Sequence, residues 1–514
     1  MARVPLPRIL SSGGAHLARS RELARTAADG ATDVLHPLIT ITRGLRRLVA
    51  AGRLRWAETP KDRRGSLLFL AASVVLVVTL VPYGPLLAVI ALMAAAAWAG
   101  RAVPEPTGPD ESQTQRLRSL YDALVPYFSA AEDPAPLYAH GGAWEDAFPA
   151  YAFDGTGRVC HLLVRYPAYF ADGEPEARAR IEQLLHAKAG RGREYRFTWD
   201  EEGNELTVAV LPPLDRDIGA QRFVTAPGET VLGFTDAAHV ARTLPLTCGE
   251  EQRDVPPVVW RTGPGSTEPH LLAVGGPGSG TTTLLRAIVL QALQHGDVVI
   301  VEGGGSGEYA CLTGRDGVLA VESGLSGALA SLEWASQETE RRLIATNRAR
   351  QAGLPAPDDI RRPLWLLLDR PSVLSQLAAA EERLDPQSLL QVPLRHGRAV
   401  DVTVVIAEQF DHLDALTDAV RGHTRARVVL GPASPEQTES VLGAAPPTTP
   451  TPDVPPGRGY ARLGAASALR LQVPATPDPH DENAPEALRQ AVLGLLPART
   501  TPADSLTKAA VAET

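Results

Sequence analysis

The chain has 514 residues, a formal net charge of −9 and only 5% aromatic residues. That length accommodates two or three domains with a sizeable core, and the acidic balance excludes a surface that coats nucleic acid broadly, leaving room for a local basic groove. Cys160, Cys248 and Cys311 lie far apart with no CxxC pair, a pattern of buried reduced thiols and not of a disulfide or zinc framework.

Residues 1–64 form a basic segment that ends in Arg43, Arg46, Arg47, Arg53, Arg55, Lys61, Arg63 and Arg64. Within it, 34–56 alternates apolar residues with arginine at helical spacing, which fits an amphipathic helix on an anionic leaflet or a solvated juxtamembrane helix. Residues 65–100 then contain no charged side chain. A single spanning helix needs about 20 apolar residues, and this run is too long for one. Pro82, Gly84 and Pro85 sit near its middle, where they mark a tight turn. The expectation is a transmembrane hairpin of two helices, each about 16–17 residues and roughly 25 Å long. The basic flank puts both termini on the cytoplasmic side of a bacterial cell membrane.

Residues 101–142 read as a linker punctuated by Pro104, Pro106 and Pro109, with a helix over 112–131. A small α+β domain is expected over 143–254, built from a strand at 161–170, a helix at 174–190 and a hairpin at 193–211 that turns at Glu202-Gly203-Asn204. His161 and His186 stand singly, without metal-ligand spacing.

From 255 to 475 apolar strands recur at 270–274, 297–301, 364–368, 402–406 and 426–430, with helical segments between them. Continuous Val/Ile/Leu runs separated by helices predict a mostly parallel sheet covered on both faces. The first strand leads into a glycine turn at 275–280 and a helix from 281. That geometry brings backbone N–H groups and a helix N-terminus to a phosphate. In the phosphate-loop pattern GxxxxGK[ST], Gly275 and Gly280 hold the glycine positions and Thr282 holds the hydroxyl that ligates Mg²⁺. The lysine position is Thr281, and the chain's three lysines are Lys61, Lys188 and Lys508, so no lysine of this domain can stand in. A charged hydrogen bond to phosphate contributes about 1.5–3 kcal/mol, so its loss weakens ATP binding by about 10–150-fold. The strand at 364–368 ends in Asp369, which would hold Mg²⁺ through water. Arg370 and Pro371 follow it, and an arginine cannot take a proton from an attacking water. The last segment, 476–514, is rich in Pro, Ala and Thr, with one short helix near 485–497; it is expected to be mostly disordered.

Over about 255–475 the chain resembles the FtsK/SpoIIIE family of membrane-anchored DNA translocases, as a degenerate member. The residues that carry the resemblance are Gly275-Gly276-Pro277-Gly278-Ser279-Gly280-Thr281-Thr282, Glu338-Thr339-Glu340-Arg341-Arg342, Gly397-Arg398-Ala399 and Ala407-Glu408-Gln409. Asp418-Ala419-Val420-Arg421, Ser440-Val441-Leu442-Gly443 and Pro456-Gly457-Arg458-Gly459-Tyr460 follow at the family's spacing. The resemblance implies a RecA-like P-loop fold, ATP and Mg²⁺ as ligands, and Gln409 as a sensor of the γ-phosphate. The nucleotide would be held by Gly275, Gly278, Ser279, Gly280, Thr281, Thr282 and Thr283. Thr282 and Asp369 would ligate the metal, and Asp369 and Gln409 would do the catalytic work. It also implies a membrane, duplex DNA and ring-forming motor subunits as partners, with Arg341, Arg342 or Arg398 completing the ring or else serving in structural ion pairs. Where the family has an acidic D-P-K-like segment, this chain has Glu302-Gly303-Gly304-Gly305. Taken with Thr281 and Arg370, the expectation is a membrane-anchored pseudo-ATPase, a scaffold or non-hydrolysing subunit in DNA translocation or segregation. The alternatives are an active translocase of conjugation or chromosome partition, and a component of a type VII secretion-like complex that binds protein.

Overall fold

The computed structural model describes residues 109–500, apart from 191, 237–239, 241, 249–250 and 450–453. The basic segment, the hairpin expected over 65–100 and residues 501–514 lie outside the described residues. Among the described residues no helix is long and apolar enough to cross a membrane.

The first helix, α1 (Glu111–Phe128), places Leu117, Leu120, Tyr121, Leu124, Val125 and Phe128 on one buried face, the i, i+3, i+4 spacing of a core-facing stripe. The sequence placed this helix in a linker. It packs instead into a core with Tyr138, Phe148, Leu162, Val164, Ile181 and Leu206. That core belongs to a unit comprising α2 (Trp144–Ala147), β1 (Ala150–Phe153), β2 (Val159–Arg165), α3 (Pro175–Ala189), β3 (Tyr195–Asp200) and β4 (Glu205–Val210), with sheet order β1-β2-β4-β3. Asn204 takes a positive φ of 51° in the β3–β4 turn, a conformation that asparagine tolerates better than most residues.

The next strands cross the boundary expected at 254/255. They are β5 (Glu229–Phe234), β6 (Leu244–Cys248), β7 (Glu251–Val255) and β8 (Pro257–Arg261). β6 and β7 form their own two-stranded sheet, but β5 and β8 join the large sheet of the P-loop domain. Their Leu232, Val258 and Trp260 are buried in that domain's core, and burial decides where a strand belongs.

The remaining elements are β9 (Leu271–Gly275), α4 (Thr281–Ala292), β10 (Asp297–Glu302), β11 (Val318–Glu322), α5 (Leu325–Gln351), β12 (Leu364–Asp369), α6 (Pro371–Ala380), α7 (Gln391–His396), β13 (Val402–Gln409), α8 (Asp418–His423), β14 (Ala426–Leu430), α9 (Pro435–Leu442), β15 (Arg458–Leu463), β16 (Leu469–Gln472) and α10 (Glu486–Leu495). The ten-stranded sheet has the order β11-β10-β12-β13-β9-β14-β15-β16-β5-β8. Its first six strands run parallel and the rest antiparallel. The five expected strands form its parallel centre, the arrangement of a RecA-like α/β domain.

Alternate residues of each central strand feed the two faces. Leu271, Ala273, Val298, Ile300, Leu367 and Val405 meet Leu284, Leu285, Ile288 and Val289 of α4. Leu272, Val274, Val299, Leu366, Val404 and Ile406 meet Leu332 of α5, Leu374 of α6, Leu394 of α7 and Val441 of α9. The segment after 475, expected to be mostly disordered, is laid against the domain as far as residue 500. Val492 of α10 packs on Ala220 and Leu290, Asp316 N donates to Ala498 O at 2.9 Å, and Thr500 N donates to Gly314 O at 3.0 Å. Composition alone did not reveal those backbone partners.

Candidate functional site

Because β9 sits between β13 and β14, with β10 and β12 beyond β13, the chain reverses its direction of travel across the sheet at β9. In such sheets ligands bind outside the carboxyl ends of the strands at that reversal. Register places the relevant residues along this edge: Glu302 pairs with Asp369, Asp369 with Ala407, and Gln409 with Gly275. Residues drawn from four separate stretches of sequence thus gather at one sheet edge, with Gln409 and Gly275 two residues beyond the Glu302–Asp369–Ala407 row.

The glycine turn has the shape of a phosphate cradle. Gly278 and Gly280 take positive φ values of 73° and 98°, and a Cβ on Gly276 or Gly278 would meet nothing within 4 Å. A Cβ on Gly275 would fall 2.8 Å from Leu430 O, so only glycine allows the strand end and the turn to approach this closely. Ser279 N donates to Gly276 O at 3.1 Å, and Gly457 N donates to Ser279 O at 2.7 Å, which ties the turn to the loop before β15. Ser279 Oγ is buried without a hydrogen-bond partner. Gly280 is the N-cap of α4 and gives it no side-chain cap, so the first N–H groups of the helix are available to an anion. Thr281, Thr282 and Thr283 are half-buried on its first turn.

Thr282 Oγ1 donates to Asp369 Oδ2 at 3.1 Å, which brings the two expected metal ligands together. A residue that sequence reasoning missed shares that oxygen: Tyr309, fully buried, donates its hydroxyl to Asp369 Oδ2 at 2.8 Å. Burial and the neighbouring Asp369 carboxylate push the Tyr309 phenol well above its ordinary range, which keeps it a donor. Tyr309 lies in no motif, and only the fold carries it to the strand edge. Burial raises the Asp369 carboxyl above the ordinary aspartate range; hydrogen bonds from Tyr309 and Thr282 and the charge of Arg370 oppose the rise, while Glu302 adds to it.

Two more carboxylates stand at this edge, each 1% exposed. Glu302 Oε1 accepts from Ser306 N and Oγ, both at 2.8 Å, and from Gly307 N at 3.0 Å, holding the glycine-rich loop in a ring of donors. Its sequence signal was the same apolar strand ending in an acid that singled out Asp369. Glu408 Oε2 accepts from Ser372 N at 3.1 Å and Oε1 from Gln409 N at 2.9 Å, so it supplies negative charge to the N-terminus of α6. Burial raises its carboxyl also. Gln409 is half-buried at the end of β13.

The three arginines considered for a ring are engaged elsewhere. Arg341 bonds Glu338 and Asp359, each at 2.6 Å. Arg342, 4% exposed, bonds Glu338 Oε1 and Arg362 O, both at 2.8 Å. Arg398 donates to Ser266 O at 3.2 Å. The contacts of Arg342 and Arg398, Arg362 O and Ser266 O, precede the amino ends of β12 and β9, on the side of the sheet away from Asp369 at the carboxyl end of β12.

These residues fit a nucleotide with Mg²⁺: an open glycine cradle, an uncapped helix start and a Thr282–Asp369 pair. Replacing Asp369 by asparagine tests the metal role. A carboxyl whose folded-state pKa is raised favours the fold at low pH and loses that contribution as pH rises through the folded value. The Asp369→Asn chain should therefore melt above the parent at about pH 8 and converge with it near pH 4, around the ordinary aspartate value. It should also lose the Mg²⁺-dependent part of ATP binding, about 10-fold or more. A melting difference of equal size at both pH values would contradict the burial argument.

No family model and no curated protein matches the chain. Solved structures similar to it include the pCW3 conjugation coupling protein TcpA in its monomer form with ATPγS, at 14% identity and a TM-score of 0.43, covering 74% of this chain and 99% of that one. Another is EssC (ATPases 2 and 3) of Geobacillus thermodenitrificans, at 15% identity and 0.42, covering 55% of this chain and 52% of that one. A third is the cytoplasmic domain of the Thermomonospora curvata type VII secretion ATPase EccC, at 21% identity and 0.39, covering 56% of this chain and 33% of that one.

Proposed function

We propose that this chain is a membrane-anchored, nucleotide-binding P-loop protein of the FtsK/SpoIIIE type whose hydrolysis is lost or very slow, and that it serves as a scaffold or non-hydrolysing subunit beside an active DNA motor. The observation that carries this reading is the pair of replacements at the carboxyl edge of the sheet, one on the helix that leaves the glycine turn and one after β12. Thr281 stands at the lysine position of an otherwise intact cradle, and Arg370 stands directly after Asp369. Losing a group that stabilises developing charge lowers the rate by about 10²–10³ and losing a general base by about 10²–10⁴, so the two replacements together leave binding far better preserved than turnover.

The test is an ATP titration and turnover assay of the full-length chain, with and without duplex DNA. Nucleotide should bind, and turnover should stay at least about 10²–10³-fold below that of a motor carrying both groups, unmoved by DNA. DNA-stimulated turnover at an ordinary motor's pace would overturn the reading.

A second reading, an active translocase, has one observation in its favour. Glu302 stands in register with Asp369 at the sheet edge, so a carboxylate is present beside the metal position even though none follows Asp369 in sequence. Against it, the Oε1 atom is already engaged by three short hydrogen bonds.

A further inference from the structure

We propose that Arg370 supplies the cation that the glycine turn lacks, binding the outer phosphate of a nucleoside triphosphate from the Asp369 side of the site. The assignment rests on the nucleotide-binding reading above and names a residue for it.

Arg370 is held in a costly conformation. Its φ of 54° and ψ of 57° are left-handed, unusual for a residue with a long side chain. It stands at the N-cap of α6, where the helix dipole disfavours a cation. Its guanidinium sits beside the buried Asp369 as a countercharge, but Nε lies 3.9 Å from Asp369 Oδ1, too far for a hydrogen bond, so its donors are not used up there. Strain of this kind persists where the surroundings enforce it, and it clusters at functional sites.

The surroundings are shaped to the side chain. A Cβ on Gly304 would overlap the Arg370 guanidinium, and one on Gly303 would overlap the Arg370 carbonyl. The glycine run that replaces the acidic segment of the family's pattern lets the Arg370 guanidinium lie over Gly304 and the 303 and 370 backbones pack closely. Glu302 fixes that run by gripping Ser306 and Gly307, and Arg370 N is anchored on Ala407 O at 2.8 Å. The side chain is 30% exposed, so its donors remain reachable.

Charge balance favours such a group even with Mg²⁺ beside the phosphates. Glu302, Asp369 and Glu408 make the edge acidic, and a triphosphate adds more negative charge. The nearby Arg286 is spent on Glu308 and on Thr476 O, while Arg341, Arg342 and Arg398 are bonded as described above. One carboxylate, Asp369, separates Arg370 from Thr282 of the cradle.

The experiment measures equilibrium binding of ATP and of ADP, each with Mg²⁺, to the full-length chain. Arg370→Gly is the informative variant, because glycine accepts the left-handed backbone and should leave the melting temperature of the nucleotide-free protein unchanged or higher. It should weaken ATP by about 10–150-fold and ADP by much less, since ADP lacks the outer phosphate. Arg370→Lys should keep part of the preference for ATP. Adding Thr281→Lys to Arg370→Gly should restore most of the lost ATP affinity by supplying the cation from the turn. Equal weakening of ATP and ADP, or no weakening, would overturn the assignment while leaving nucleotide binding intact. A parent chain that binds neither nucleotide would sink the nucleotide reading, and this assignment with it.

Discussion

Replacing Arg470 with methionine is expected to destabilise the described fold by about 3–5 kcal/mol, the usual cost of removing one partner from a buried ionic network. Arg470 lies on β16 and is 1% exposed. Its Nη2 donates to Glu194 Oε2 at 2.6 Å and to Pro212 O at 2.9 Å, and its Nη1 to Asp236 Oδ2 at 3.2 Å. Without it, Glu194 keeps the Thr448 hydroxyl at 2.5 Å and Asp236 keeps Arg196 at 3.0 Å, but neither has the buried guanidinium that bridged them. The network joins the small unit to the large sheet, and a clasp of two hydrogen bonds runs beside it: Thr449 N donates to Tyr195 O at 2.9 Å and Tyr195 N to the Thr449 hydroxyl at 3.0 Å. Hydrogen exchange should show faster exchange of the Tyr195 and Thr449 amides, while amides of β12 and β13 stay protected. Lysine should not rescue, because it lacks the fork that reaches three acceptors. An Arg470→Met chain that unfolds within about 1 kcal/mol of the parent would mean that the network contributes little to the seam.

Gly280→Ala is expected to cost about 2–4 kcal/mol, from left-handed strain in a residue with a Cβ and the loss of a backbone hydrogen bond. The new Cβ would fall 2.6 Å from Gly457 N, the group that donates to Ser279 O. Both partners are backbone, so no flexible side chain can move aside. The turn should open and nucleotide binding should fall below detection. Gly276→Ala is the control: that position has open space and no positive φ, so its melting temperature should match the parent's. If the two alanine variants melt together, the contact between the turn and the 457 loop is not holding the cradle.

The two predictions concern connected parts of the molecule. Gly457 is followed by Arg458, whose guanidinium donates to Leu214 O at 2.7 Å and to Gln472 Oε1 at 2.9 Å. The loop that braces the phosphate turn is thus also bonded to the chain that leaves the small unit. In the proposed function, a nucleotide that is bound and not hydrolysed would act through such bracing, as a stabiliser of one arrangement of the two units.

Local pattern was enough to specify the parallel centre of the sheet, the glycine turn with its threonine in place of lysine, the acid at the end of β12 and the hairpin at Asn204. Each depends on hydrophobic period or on a short motif whose residues act within one turn or one strand, and such information is contiguous in sequence. The tertiary structure decided what contiguity cannot carry. It placed β5 and β8 in the large sheet, packed α1 and the segment after 475 into cores, and brought Tyr309 and Glu302 to Asp369. It also bonded Arg341 and Arg342 into ion pairs and set the Arg370 guanidinium, 30% exposed, beside Asp369. These outcomes follow from burial, from register between strands distant in sequence and from the shape of the space beside a side chain, and all three are set only once the chain has closed on itself.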